Sequence, residues 1–326
     1  MIQPNELKSG LRIDVANGVV SNTKKVWSVL LAAYNGNLKQ LQELVAECPE
    51  LIYAQYNYAP PIHFAVREGH HEVVNYLLKN RAYDPAYRTY PFRESLLTIA
   101  QDRHHHEIAM MLEGYSSDLG NQKFTGDNGR IHFERNELQN GFETAVDKND
   151  LDKTSQILKE HPEYALDESF FWGEGILMMP AKNNHQPMIE LLTGYGAKAP
   201  DILKWTQAYY FKHFDGAALM MSKGMNPDTM SCHHVTILHD MAQKGNIPKA
   251  ELLIQHGANI NPIDEEYQST PLGLAVRWGH VEMAKYLLFQ GADPNKAGAP
   301  WATPLQWAQK KGHNEIEKIL EDAGAA

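Results

Sequence analysis

Sixteen histidines and two cysteines are distributed over 326 residues, and those are the side chains that build metal sites and acid-base pairs when spacing brings them together. The run His104-His105-His106-Glu107 has the composition of a metal site. Adjacent residues on a helix point in different directions, however, and two imidazoles share a face only at a spacing of three or four. His132, His233 and His234 fall between helical segments and are the histidines open to a binding role. Cys232 beside His233 and His234 raises the question of an activated thiolate, which needs a base within hydrogen-bonding reach that adjacency does not supply. Asp167, Glu168 and Glu174, and again Asp264, Glu265 and Glu266, are carboxylate groups of the kind general acid-base catalysis uses, with solvated acidic turns as the simpler reading. A phosphate-cradling glycine loop, a dinucleotide fingerprint and a Gly-x-Ser-x-Gly nucleophile turn are all missing. The expectation is therefore a chain with no catalytic residue, no metal and no cofactor.

Composition narrows the partner. Forty acidic against thirty basic side chains leave a net charge of −10, which repels nucleic acid and anionic membranes and accommodates a basic or neutral protein or peptide more easily. A hydrophobic fraction of 43% and a charged fraction of 21% belong to a folded protein and exclude disorder for most of the chain. Cys48 and Cys232 cannot make a disulfide framework or a multi-cysteine zinc site, and reduced thiols point to a reducing compartment. The first residues, Met1 to Asp14, lack a secretory pattern, and no run approaches the length of a membrane span. A cytoplasmic protein is the expectation.

The elements that must position these side chains emerge from self-similarity. Thr270-Pro271-Leu272-Gly273-Leu274-Ala275, followed by Gly279-His280 and Tyr286-Leu287-Leu288, returns 33 residues later as Thr303-Pro304-Leu305-Gln306-Trp307-Ala308, followed by Gly312-His313 and Ile319-Leu320. Thr236-Ile237-Leu238-His239 with Gly245-Asn246, and Pro60-Pro61-Ile62-His63-Phe64-Ala65 with Gly69-His70, are further copies. Each block has a physical reading: Thr caps a helix, Pro occupies its first turn, Ala lets a neighbouring helix approach, and Gly ends the helix in a left-handed residue. These blocks resemble the ankyrin repeat, a turn followed by two antiparallel helices.

With the small residue of the first helix as a ruler, units fall at Ala32, Ala65, Ala100, Ala145, Pro180, Ala208, Met241, Ala275 and Ala308. The resemblance implies an all-α solenoid of about nine helix-turn-helix units, elongated and with a concave groove, because no unit buries its apolar faces alone. The corresponding boundaries are an N-terminal segment 1–25, repeats one to three in 26–114, an extended finger in 115–139 and repeats four to nine in 140–326. Half of the histidines become structural: His63 and His239 match the motif histidine, while His70, His105, His185, His213, His280 and His313 follow the helix-ending residue.

Three departures from the pattern mark candidate functional regions. The step from Ala100 to Ala145 is 45 residues, and within it Lys123 to Phe133 reads as a hairpin turning at Asn128-Gly129. The segments before the first helices are rich in aromatics, Tyr56, Tyr58, Tyr87, Tyr90, Phe92, Phe170, Phe171, Trp172, Tyr267 and Trp301, which are expected along the concave edge. Pro180 lies inside a first helix, so that helix must start late or kink. A recognition site assembled from Tyr90, His132, Phe170, Trp172, Glu174, His233, His234 and Trp301 is the resulting expectation. The function it implies is non-catalytic recognition of a protein or peptide in the groove. The alternative is an enzyme or a receptor for a small molecule such as a sugar, with its pocket between the 115–139 finger and the 167–175 aromatic segment.

Overall fold

A computed structural model describes the backbone of all residues except 5–6, 17–18, 57–58, 90–91, 119–134, 200–210 and 212–213. The chain divides into two compact units, Gln3–Glu134 and Arg135–Ala326. Both are built mainly from helix pairs.

In the first unit the pairs are Thr23–Tyr34 with Leu38–Glu47, Pro61–Glu68 with His71–Lys79, and Leu96–Asp102 with His106–Asp118. An antiparallel hairpin, β1 Arg12–Ala16 with β2 Val19–Asn22, precedes them. It occupies the N-terminal segment 1–25 that precedes the repeats. Ile13 and Val15, two positions apart, are both buried, which is the period of a strand with one face on a core. Strand β1 lies against the helix Thr23–Tyr34 and the short 3-10 turn Pro49–Tyr53.

The second unit contains Glu137–Asp147 with Leu151–Glu160, Met178–Lys182 with Gln186–Gly194, the helix Phe214–Ser222, Ile237–Gln243 with Ile247–Gln255, Pro271–Arg277 with Val281–Phe289, and Pro304–Lys311 with Asn314–Asp322. Eight of the nine ruler residues lie in these first helices, and Ala32, Ala65, Ala100, Ala275 and Ala308 are completely enclosed. Ala208 falls outside the described residues. The hydroxyls of Thr236, Thr270 and Thr303 accept the backbone N–H of His239, Gly273 and Gln306 respectively, and Pro61, Pro271 and Pro304 open their helices. Thr caps of this kind stabilise a helix by about 1 kcal/mol.

Pro180 is accommodated by a late start. Its helix runs only Met178–Lys182, so the proline is the third helical residue, where a backbone N–H has no intrahelical partner to lose. The residues that end the first helices adopt left-handed φ as the motif requires, at Gly36, Gly69, Gly245, Gly279 and Gly312, with His104, Asn149 and Asn184 in the same role. Among the described residues no helix is long and apolar enough to cross a membrane.

Candidate functional site

The expected site residues separate into three groups. Tyr90 and His132 lie outside the described residues, as does the whole 123–133 hairpin. The backbone of Trp172 sits in a short helical turn, Phe170–Gly173, and its side chain lies outside what the structure describes. Phe170, Glu174, His233, His234 and Trp301 are placed.

Phe170 is a correction. Its ring is 0% exposed, packed edge-on against Phe142 at 5.3 Å and Tyr164 at 5.8 Å. The Arg135 guanidinium lies 4.1 Å from its centroid. Arg135 also donates to Asp167 Oδ2 at 3.3 Å and to Ser169 Oγ at 2.9 Å. This cation pins the segment entering the helix Glu137–Asp147 onto the turn before Phe170, and no face of that ring is left for a partner. Phe171 is buried as well, with a left-handed φ of 48°, and its N–H donates to the Glu143 carboxylate. Glu174 is half-buried and caps the short turn, its N–H donating to the Phe171 carbonyl at 3.1 Å. Tyr56, Phe92 and Tyr267, also expected along the edge, are buried too, whereas Tyr87 is half-buried with its hydroxyl 3.0 Å from His63 Nδ1. The buried turn aromatics act as wedges, which is a packing role.

His233 and His234 behave as two histidine–carboxylate pairs, bridging one turn to the next. His233 Nδ1 lies 2.7 Å from Glu266 Oε1, with both side chains buried. His234 Nδ1 lies 3.0 Å from Glu265 Oε1, and that imidazole keeps 38% of its surface. The adjacent carboxylates of one turn thus meet the adjacent imidazoles of the turn before. Of the four groups, His234 is the one with substantial surface for a ligand.

The motif histidine His239 is fully enclosed. Its backbone N–H donates to Thr236 Oγ1, its Nδ1 accepts the Thr236 N–H at 3.1 Å, and its Nε2 lies 3.2 Å from the Ser269 carbonyl. That arrangement is satisfied by the neutral tautomer with the proton on Nε2. Burial holds its pKa down at about 4, against the hydrogen bonds to backbone carbonyls, which favour the charged form. The next residue, Asp240, is pushed upward by burial, an effect the Lys244 ammonium at 2.7 Å partly opposes.

Around Trp301 the aromatic packing reaches the surface. Trp301 is half-buried and stands edge-on to Trp307 at 5.9 Å. Trp307, fully enclosed, donates its Nε1–H to Ser269 Oγ at 2.7 Å. The Arg277 guanidinium, 5% exposed, lies 4.2 Å from the Tyr267 centroid, 4.1 Å from Trp278 and 5.2 Å from Trp307. Sequence reasoning missed Arg277. Its place two residues after the ruler alanine, next to Trp278, was the available signal, and the same position holds Arg67, which is also fully buried and lies over Tyr34 and Phe64.

Family models for the ankyrin repeat match residues 57–90, and a three-copy ankyrin model matches 205–297. This chain carries ankyrin repeats. The ARF GTPase-activating protein GIT2 of Mus musculus is 34% identical over 85 residues, 26% of this chain and 12% of that protein. GIT1 of Homo sapiens is 33% identical over 85 residues, 26% of this chain and 11% of that protein. The nuclear factor NF-kappa-B p105 subunit of Mus musculus is 26% identical over 155 residues, 47% of this chain and 13% of that protein. The matched region therefore spans only about an eighth of each relative's length. Several histidines that follow the helix-ending residue bond back to the preceding repeat. His70 Nε2 meets the Tyr34 carbonyl at 2.7 Å, His105 the Arg67 carbonyl at 3.2 Å, and His280 the Gln243 carbonyl at 2.6 Å. Each joins one ankyrin repeat to the preceding one.

Proposed function

We propose that this chain is a non-catalytic binding module whose ankyrin repeats recognise a protein or peptide partner in their concave groove. The observation that carries the reading is the division of labour among its histidines and aromatics. His70, His105, His239, His280, Phe170 and Trp307 are taken up by packing or by inter-repeat hydrogen bonds, while His234, Trp278 and Trp301 keep surface on consecutive repeats of the second unit. Ankyrin repeats are a scaffold on which such surface residues vary while the packing residues persist. The reading includes a cytoplasmic location and the 115–139 segment as a finger between the third and fourth repeats. Trp172 remains part of the proposed surface. The enzyme or small-ligand alternative needs an aromatic pocket wall at 167–175, and the burial of Phe170 and Phe171 withdraws two of its three rings.

The test is hydrogen exchange on the whole chain, with and without a purified partner obtained by cross-linking in cells. Protection centred on the turns and first helices of the repeats supports the module. Protection restricted to the outer helices, such as Leu38–Glu47 or Val281–Phe289, overturns recognition through the groove.

A further inference from the structure

We propose that the last three repeats present a cationic, tryptophan-lined surface that takes an acidic peptide segment. This rests on the binding-module reading above and names the chemistry of the partner. The helices Ile237–Gln243, Pro271–Arg277 and Pro304–Lys311 pack in succession, at the roughly 8–10 Å separation usual for packed helices. Equivalent positions of the three helices therefore form a row. The two residues that close each helix are Gln243-Lys244, Arg277-Trp278 and Lys310-Lys311. Four cations and no carboxylate occupy those six positions. Three earlier repeats have mixed pairs there, Arg67-Glu68, Asp102-Arg103 and Asp147-Lys148, the first has the uncharged Tyr34-Asn35 and the fifth the single cation of Lys182-Asn183, so a run of three cation-bearing repeats occurs at this end.

Cations near a helix C-terminus stabilise it through the helix dipole by about 0.3–1 kcal/mol. That explains a sign of charge and leaves the tryptophans unexplained. Arg277 is buried among Tyr267, Trp278 and Trp307, which places a fixed positive charge beneath the ring cluster. Trp307 is locked by its hydrogen bond to Ser269. The Lys310 and Lys311 ammonium groups lie 5.2 and 5.9 Å from the Trp307 centroid, and both residues are exposed. Trp278 and Trp301 are half-buried at the same cluster. The result is two half-exposed indoles, Trp278 and Trp301, set by an enclosed Trp307–Tyr267 core, with the exposed Lys310 and Lys311 ammonium groups beside them, suited to an apolar side chain flanked by carboxylates.

The net charge of −10 points toward a basic partner, and the local charge points the other way. Distance decides between them. At physiological ionic strength exposed charges are screened over about 8 Å, so a docked segment responds to the lysines it touches. Asp240 is paired with Lys244, Glu265 with His234 and Glu266 with His233, while Glu317 accepts from the Gln309 side-chain amide and keeps its charge; with Arg277 buried, Lys310 and Lys311 are the cations of the row that a docked segment would meet.

Fluorescence anisotropy on the intact chain tests this, with a fluorescein-labelled peptide of alternating glutamate and leucine and a lysine-leucine counterpart as probes. The acidic peptide should bind, and its affinity should fall with added salt. Lys310→Glu with Lys311→Glu should weaken binding by at least about tenfold, and Trp301→Ala by several-fold, with unchanged circular dichroism. Lys285→Glu, on the outer helix and already paired with Glu282, should leave it unchanged. Equal binding of the lysine peptide, or a double charge reversal within about twofold of the parent, overturns the proposal. So does displacement of the peptide by an equimolar oligothymidine, which would assign the surface to a phosphate backbone. Absence of peptide binding, or exchange protection mapped to another repeat surface, also overturns it. The module reading would then still stand if a natural partner protects the groove in the cross-linking experiment, and fall separately if it does not.

Discussion

Gly279 and His313 are shaped to each other across a repeat boundary. A Cβ on Gly279 would stand 2.9 Å from His313 Cε1, while His313 Nε2 lies 3.4 Å from the Arg277 carbonyl. The same contact recurs at Gly36 with His70, Gly69 with His105, and Gly245 with His280. The glycine thus answers two demands, a left-handed φ of 74° and room for the imidazole of the following repeat.

Gly312 separates those demands, because its φ is 71° and a Cβ at that position would meet nothing within 4 Å. Gly312→Ala should cost about 1 kcal/mol, the backbone contribution alone. Gly279→Ala should cost about 2–3 kcal/mol, with the excess coming from the displaced imidazole. Urea denaturation of both variants, and of Gly279→Ala combined with His313→Ala, checks the partition. A double variant that costs the full sum of the singles would deny the coupling.

Acid should loosen the chain through His239. Its unfolded value is near 6.5 and its folded value about 4. Between those pH values the unfolded state binds the proton that the native state refuses, so stability falls as pH drops through the window. At full strength the loss is roughly 3 kcal/mol by pH 4, and it levels off below that. Asp240 acts in the opposite sense: its folded pKa is raised above 3.8, so the native state takes its proton first and gains stability as pH falls. Comparing denaturation midpoints of the parent and His239→Gln from pH 7 to 4 isolates the histidine. The parent should lose more stability than the variant across that interval, and parallel curves would refute the assignment.

The repeats were legible because their signals are local. Thr270 caps and Pro271 starts a helix by virtue of their own backbone and hydroxyl chemistry, and Gly279 ends it for the same reason. Pro180 was legible too, since a proline within a helix has few solutions and the late start at Met178 is one of them. What escaped was set by contacts between distant residues. Arg277 reads as a surface cation until Tyr267, Trp278 and Trp307 are brought around it. Phe170 reads as a turn aromatic facing a groove until Arg135, Phe142 and Tyr164 enclose it. The hairpin before Thr23 had a local signal, Ile13 and Val15 alternating ahead of Asn17-Gly18, but the helical period of the repeats masked a segment that does not share it.

Arg135 should matter more through its planar fork than through its charge. It contacts Asp167, Ser169 and the face of Phe170 together, and a lysine can reproduce the charge while losing the simultaneous contacts. Arg135→Lys is expected to cost about 1 kcal/mol or more, and Arg135→Met a similar amount, because the stacking and hydrogen bonds are lost in both. A lysine variant as stable as the parent in thermal denaturation would show that charge alone sufficed.

Phe170 and Trp301 provide the sharpest contrast between packing and recognition. Phe170 has no exposed surface, so Phe170→Ala leaves a cavity among Phe142, Tyr164 and the Arg135 guanidinium and should destabilise the fold by about 3–5 kcal/mol. Trp301 is half-buried at the edge of the Trp307 cluster, and its removal leaves Trp307 still bonded to Ser269 and still covered by Arg277. Trp301→Ala should therefore cost about 1–2 kcal/mol of stability. If Trp301 is a recognition residue, the same change should weaken partner binding several-fold, about 1 kcal/mol. Trp172→Ala belongs in the same experiment as the remaining proposed anchor. Folding free energy from urea titration and affinity from anisotropy, measured on all three variants, place each ring on one side or the other. A Trp301→Ala variant that loses stability as Phe170→Ala does, while binding normally, would make it another wedge of the stack.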